Sequence, residues 1–131
     1  MRIKLNSIMV DSQDKALKFY TDVLGFVTKH DIPVGGEFRW ITVVSPEGRE
    51  DLELSLEPNA NPAGKAFQEA LLKQGIPATA FESSDIQKEF ERLRAKGVVF
   101  TREPTNAGPV TLAIFADTCG NLIQMYQPNA R

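Results

Sequence analysis

The sequence predicts an α+β fold in which two tandem βαβββ modules form a curved, cup-shaped mixed sheet. Two stretches of the chain share one order of elements, namely a strand, a helix and three strands. Glycines fall at equivalent points of both: Gly25 and Gly97 follow the helices, and Gly48 and Gly120 lie in later turns. Two unrelated α+β halves would also give two such stretches. The shared positions of the glycines favour a repeat with pseudo-twofold symmetry.

The first module is predicted over residues 1–57. Ser12 is suited to cap a helix over residues 13–24, because Ala16 and Tyr20 begin an apolar stripe at helical spacing. Alternating apolar residues between turn signals predict its strands. These strands cover residues 3–10, 26–32, 37–44 and 51–57.

Residues 58–75 are predicted to connect the modules through a short amphipathic helix over residues 64–74. The second module then covers residues 76–131, and both modules belong to a single domain over residues 1–131. Its helix is predicted over residues 85–96, with Ser84 as a possible cap and a turn beginning at Pro104. Its strands are predicted over residues 78–82, 98–102, 109–117 and 122–127.

Composition excludes several classes of function. The formal net charge is −2 without a basic stripe, so no nucleic-acid partner is expected. No apolar run is long enough to span a membrane, and the N-terminus lacks a secretory pattern, so we expect a cytoplasmic protein without a membrane partner. One histidine cannot complete a two-histidine metal site, although an all-oxygen site for a divalent cation stays possible.

Two segments carry a family resemblance. Residues 14–26, DKALKFYTDVLGF, resemble the helix signature of the vicinal-oxygen-chelate superfamily, which includes glyoxalase I, extradiol dioxygenases and bleomycin-resistance proteins. Residues 117–124, DTCGNLIQ, resemble a late motif of that family. The resemblance implies a cup between two modules and, in many members, a homodimer. It specifies the fold more closely than the function.

The resemblance also implies where a metal would bind. Family enzymes hold a divalent metal with two ligands from each module, and the four positions fall on Leu5, Glu53, Ala78 and Gln124. Leucine and alanine have no donor atom, so no tightly bound metal or other cofactor is expected, although weak divalent metal binding stays possible. In this respect the chain is similar to the bleomycin-resistance proteins, which bind a ligand without a catalytic metal.

Five residues are candidates for a small-molecule site in the cup. Glu53 alternates with Leu52 and Leu54, so it lies on the opposite face of its strand as a general base, a polar anchor or simply an exposed residue. The same alternation places four more side chains in the cup, where they would bind ligand, fill the cup or form a dimer interface. They are Trp40, Phe115, Gln124 and Tyr126.

Two other reactive residues are expected to have no role. His30 stands between two charged residues and is interpreted as a surface residue. Cys119 lies in a turn and is expected to be exposed and incidental, because no base or cation adjoins it.

Three hypotheses follow for the function. The first is a protein that binds a small organic ligand without metal. The second is a metal-dependent lyase, isomerase or dioxygenase with a rebuilt site that uses Glu53. The third is a structural or regulatory interaction protein with an occluded cup.

Overall fold

A computed structural model describes residues 1–130. It contains two four-stranded mixed sheets with the same topology. In each sheet the first strand lies at an edge, parallel to the last strand, and the remaining pairs are antiparallel. The predicted fold class is confirmed. The first sheet has the order β1-β4-β3-β2, with β1 Leu5–Val10, β2 Val27–Pro33, β3 Arg39–Val44 and β4 Glu53–Pro58. The second has the order β5-β8-β7-β6, with β5 Thr79–Glu82, β6 Phe100–Asn106, β7 Val110–Ala116 and β8 Leu122–Pro128.

Helix α1 covers Gln13–Lys18 and continues as a π-helical segment over Phe19–Val23. The hydroxyl of Ser12 accepts the backbone N–H of Lys15 at 3.3 Å, so the predicted cap is confirmed. Gly25 has a φ of +86° just after the helical segment, a conformation that glycine adopts without a steric penalty.

Helix α2 covers Pro62–Gln74 in the segment between the two sheets. Its buried side chain is Gln68, whose amide donates to the carbonyl oxygens of Met9 at 2.9 Å and Cys119 at 3.2 Å. Met9 belongs to β1, and Cys119 belongs to the turn between β7 and β8. A single glutamine therefore attaches the connecting helix to both modules.

Helix α3 covers Ile86–Ala95 and corrects one predicted detail of the second module. Its cap is Asp85, which accepts the N–H of Lys88 at 3.1 Å, and not Ser84. Aspartate and serine are both good caps, so sequence alone did not separate these adjacent positions.

Strand β6 corrects a second detail. It extends to Asn106 through Pro104, where a turn was predicted. The pairing of β6 with β7 is interrupted between Arg102 and Thr105. Proline has no N–H to donate to a strand ladder, and it is tolerated there because the ladder is already interrupted at this point.

Helices α1 and α3 pack on one face of the two sheets, and one hydrophobic core joins both modules. Tyr20 from the π-helical segment is fully buried beside Phe19, whose ring centroid lies 6.5 Å from that of Phe115 in β7. The guanidinium of Arg92 in α3 donates to the carbonyl of Val23 at 3.0 Å. The two modules are therefore held together on the helix side. Within residues 1–130 no helix combines the length and apolar character needed to cross a membrane.

The turn between β7 and β8, residues 117–121, is called the buried turn below, because Asp117, Cys119 and Asn121 are buried while Thr118 is exposed. Asp117 accepts hydrogen bonds from the backbone N–H of Cys119 at 2.7 Å and from the hydroxyl of Tyr20 at 2.7 Å. Burial and the Asp117 carboxylate raise the pKa of Tyr20 well above its ordinary value.

Cys119 is fully buried, so its predicted exposure is wrong. Burial, reinforced by the nearby Asp117 carboxylate, raises the pKa of the Cys119 thiol to about 12. The thiol is therefore neutral and unreactive at physiological pH.

Candidate functional site

The face of each sheet that points away from the helices is called the cup face. Strand β4 shows how alternation builds it in the first sheet. Leu56 is fully buried in the core, whereas Glu53, Ser55 and Glu57 have the opposite parity. The hydroxyl of Ser55 donates to Oε1 of Glu57 at 2.7 Å. The cup face of β4 therefore carries two carboxylates, those of Glu53 and Glu57, with Ser55 between them.

A β-bulge in strand β2 brings two cationic or ionisable side chains to this face. The register with β3 pairs Thr28 with Val43 and then His30 with Thr42, so Lys29 is the extra residue. Lys29 Nζ lies 3.8 Å from Oε2 of Glu53, and His30 Nε2 lies 3.4 Å from Oε1. The bulge thus directs two consecutive residues towards the same carboxylate.

The side chain of Glu53 is mostly buried, and 16% of it is exposed. Its Oε1 accepts the hydroxyl of the fully buried Thr42 at 2.7 Å and faces His30 as well. Its Oε2 has only Lys29 nearby, at a distance too long for a hydrogen bond. Among the described residues, Oε2 is therefore the oxygen of Glu53 that remains able to accept a hydrogen bond from a ligand.

His30 and Trp40 form a parallel aromatic stack, with ring centroids 4.5 Å apart and planes at 12°. Trp40 remains 37% exposed, and Ile32, its partner across the strand pair, is 45% exposed. This is an apolar surface next to a charged group. Five residues, Lys29, His30, Trp40, Thr42 and Glu53, form what is called the Glu53 cluster below.

The cup face of the second sheet has a different character. Gln124 and Tyr126 lie on it, because Ile123 and Met125 alternate with them into the core. Their partners across the strand pair are Ile114 for Gln124 and Leu112 for Tyr126. Glu82 of β5, the partner of Tyr126, shares this face and is exposed. The second sheet therefore offers an amide, a phenol, aliphatic side chains and one carboxylate, without the stacked rings and nearby cation that surround Glu53.

Phe115 does not belong to the cup face, and this prediction is wrong. It is paired with Ile123, whose side chain is fully buried, and it packs against Phe19 and Phe100 in the core. Residues directly opposite in an antiparallel pair share a face, so Phe115 lies on the helix side of the sheet.

The strand register also shows which residues of the two modules correspond to one another at the positions where the resemblance places metal ligands. Leu5 is the partner of Glu53, and Ala80 is the partner of Gln124. The third position is therefore Ala80 and not Ala78, which precedes β5. The donor set is one carboxylate and one amide with two hydrocarbon side chains, which does not fit a four-ligand metal site. Within residues 1–130 no three His, Cys, Asp or Glu side chains converge to hold a metal.

A cavity of about 300 Å³ lies at the junction of the two sheets. It is called the seam cavity, and Leu5, Glu53 and Ala80 all line it. Three of the four positions where the resemblance places metal ligands therefore border a largely apolar cavity, and Glu53 contributes its carboxylate. This arrangement suits an organic ligand better than a cation, because most of its lining has no donor atom.

Sequence analysis identified Glu53 and Trp40 but missed their partners. His30 was interpreted as a surface residue because its neighbours are charged, and Lys29 was not considered. The signal that could have been used is the absence of regular alternation in residues 27–33, which is compatible with a bulge.

Comparisons with known proteins concern the family and the fold. A family model described as the Glyoxalase/Bleomycin resistance protein/Dioxygenase superfamily matches residues 2–125. The uncharacterized protein YurT of Bacillus subtilis (strain 168) is 56% identical over 127 residues, which cover 97% of this chain and 99% of YurT.

Two solved structures are similar over nearly their whole length. UcmS2 has a TM-score of 0.81 and 31% identity, over 96% of this chain and 97% of UcmS2. TnmS3 from Streptomyces sp. CB03234, an antibiotic binding protein, has a TM-score of 0.78 and 27% identity, over 98% of this chain and 97% of TnmS3.

Proposed function

Because the chain belongs to the glyoxalase/bleomycin resistance protein/dioxygenase superfamily, we propose that it binds a small, flat organic molecule against the cup face of its first sheet. Binding requires no tightly bound metal in this proposal. Trp40 supplies the stacking surface and Glu53 the polar anchor. The observation that carries the proposal is the exposed Trp40 ring beside a mostly buried carboxylate whose Oε2 faces Lys29 at 3.8 Å without a hydrogen bond.

The apolar part of the ligand would cover side chains that water now contacts. Trp40, Ile32 and Phe38 are each more than a third exposed on or beside this face. Covering apolar surface contributes roughly 25 cal/mol per Å². The His30 ring holds Trp40 in place, so little side-chain entropy would be lost on binding.

The polar part of the ligand would be a hydrogen-bond donor. Oε2 of Glu53 can accept an N–H or O–H, since Thr42 and His30 both contact Oε1. Gln124 and Tyr126 complete the site in this proposal, either from the second sheet of the same chain or from a partner copy. TnmS3 supports the idea, because it is an antibiotic binding protein of the same fold.

The test uses Trp40, the only tryptophan of the chain, as a fluorescent reporter. We expect 2-naphthol to change Trp40 emission saturably and to bind more tightly than 2-methoxynaphthalene, which has no donor. Glu53→Ala should abolish that preference, whereas Glu103→Ala, at an exposed position on β6, should preserve it. Equal affinity for both probes in the unmodified protein, or no response to either, would count against the site.

Metal dependence has its own measurement. We expect manganese, nickel, zinc and magnesium to leave the melting temperature and probe affinity unchanged. A stoichiometric metal that Glu53→Ala removes would instead favour the alternative of a metal-dependent lyase, isomerase or dioxygenase. A homodimer is also part of the proposal, and light scattering of the purified protein should give the mass of two chains.

A further inference from the structure

A second cavity, of about 440 Å³, lies on the helix side of the second sheet, away from the Glu53 cluster. Leu93 of α3 forms part of its lining together with Phe115 and Met125, which point to the helix side of the sheet. Neither Trp40 nor Glu53 lines it. It is called the helix-side cavity below, and it is large enough for a drug-sized molecule.

The floor of the helix-side cavity is apolar and aromatic. Phe26 and Phe81 meet edge to face there, with ring centroids 5.3 Å apart. Leu93, Phe115 and Met125 are almost completely buried beneath them. Such a floor accepts the hydrocarbon or aromatic body of a ligand but cannot satisfy a charge.

The mouth of the helix-side cavity is acidic. Two carboxylates lie there, those of Glu47 and Glu89, whereas Glu82, which also borders the cavity, is paired with Tyr126 and so has its side chain on the cup face. Arg92 pairs with Glu89, since its Nη2 lies 2.6 Å from Oε1. Glu47 has no Lys or Arg nitrogen within 4 Å among the described residues, and Arg92 acts on it only at longer range. The mouth therefore has negative charge that is not fully compensated, whereas the floor has none.

From this combination we infer that the helix-side cavity binds an amphipathic cation, an organic amine whose apolar body rests on the aromatic floor and whose ammonium group faces Glu47. An anion of the same shape is rejected, because its charge would face the same carboxylate. The site is separate from the one proposed on the cup face and does not depend on it.

The test compares two probes that share one ring and differ in charge, 1-naphthylmethylammonium and 1-naphthylacetate. The reporter is the methyl group of Met125 in a sample labelled at methionine, where Met1 and Met9 serve as internal references. We expect the cationic probe to shift the Met125 signal saturably. The anionic probe should bind at least about fivefold more weakly, the scale of an exposed charge interaction.

Three variants decide the location. Glu47→Gln, which changes one exposed side chain, should reduce the affinity of the cation to that of the anion. Ser84→Trp places a large ring at the exposed mouth and should abolish the Met125 shift. Gln87→Trp, at an exposed position of α3 outside the cavity lining, is the matched control and should leave the shift unchanged.

Several results would overturn the inference. They are equal affinity for the two probes, no Met125 shift with either probe, and full retention of the preference in Glu47→Gln. Trp40 fluorescence measured on the same samples reports the cup face separately. A probe that changes Trp40 emission but not the Met125 methyl binds only on the cup face, and that result also rejects the helix-side site.

Discussion

The two modules share one topology but place their buried polar groups differently. The first module concentrates them on the cup face, around the Glu53 carboxylate. The second concentrates them in the buried turn, where Asp117 contacts Tyr20 of the first module. The equivalent turn of the first module, at Ser45 to Gly48, is largely exposed. The difference indicates that the second module uses its polar residues to join the modules, whereas those of the first lie on the cup face, where the ligand is proposed to bind.

The largest expected effect comes from removing the carboxylate of the buried turn. Asp117→Ala leaves the Tyr20 hydroxyl and the backbone N–H groups of Cys119 and Asn121 without their partner. We expect a loss of about 3 to 5 kcal/mol in the free energy of unfolding, because several buried groups become unsatisfied together. Urea denaturation followed by circular dichroism measures it.

The matched control is Ser45→Ala, at the equivalent position after β3. Its hydroxyl accepts one exposed N–H, that of Glu47 at 3.1 Å. We expect a change of about 0.5 kcal/mol or less. Similar losses in the two variants would show that the turns are energetically equivalent and would remove the basis of the comparison.

A second pair compares the glycines of the same two turns. Gly120 has a φ of +98°, and a Cβ there would lie 2.8 Å from Nε2 of Gln68. Gly120→Ala should therefore cost about 2 to 3 kcal/mol, from backbone strain and from displacement of Gln68. Gly48→Ala would meet nothing closer than 3.6 Å and should change thermal stability little. Equal melting temperatures for the two variants would contradict a special role of the buried turn.

The repeat could be predicted because helix caps, glycines and alternation are local features. The buried turn could not, since its burial depends on distant segments. The backbone N–H of Asp11 donates to the carbonyl of Cys119 at 3.1 Å, and Gln68 reaches the same oxygen. Nothing in the residues next to Cys119 specifies these contacts. The prediction that Cys119 is exposed was therefore wrong, because the burial of this turn depends on contacts with distant segments.

The site was predictable to a similar extent. The Leu52–Glu53–Leu54 alternation fixed the face of Glu53, because only one face of β4 is apolar. Residues 110–116 are largely apolar on both faces, so alternation could not show which face of the sheet carries Phe115. The register with β8 shows it. The bulge at Lys29 is a property of the pairing between β2 and β3. It becomes visible only when both strands are in place.

The pH dependence of stability provides a third test of the buried turn. The pKa of Cys119 is about 12 in the folded protein against an ordinary value of 9.0, and that of Tyr20 is also raised. Between these values the unfolded chain loses protons that the folded protein keeps, so stability is complete below pH 9 and falls as pH rises towards 12. We expect a loss of about 1 kcal/mol by pH 10 from Cys119.

Cys119→Ala provides the control for this test, because the thiol is the group that titrates first. Urea denaturation between pH 8 and pH 10.5 should give a shallower decline for the variant than for the unmodified protein. Parallel declines would mean that the Cys119 thiol does not contribute to the pH dependence of stability, and would contradict this prediction.

The smallest expected effect concerns the other member of the comparison, the Glu53 cluster. His30→Ala removes the ring stacked on Trp40 and one neighbour of Glu53 Oε1. An aromatic pair of this kind contributes about 0.5 to 1.5 kcal/mol, and partial exposure places this pair at the lower end. We therefore expect a small loss of stability but a clear rise in the mobility of the Trp40 ring, measured by fluorescence anisotropy decay.

The control for His30 is Thr105→Ala, because Thr105 pairs with Leu112 in the second sheet as His30 pairs with Thr42 in the first. It should leave Trp40 emission and its anisotropy unchanged. If His30→Ala also leaves them unchanged while stability falls by several kcal/mol, the cluster serves the folded state as the buried turn does. A mobile Trp40 in a stable protein instead means that His30 orders the cup face before any ligand arrives, which is the property that separates the first module from the second.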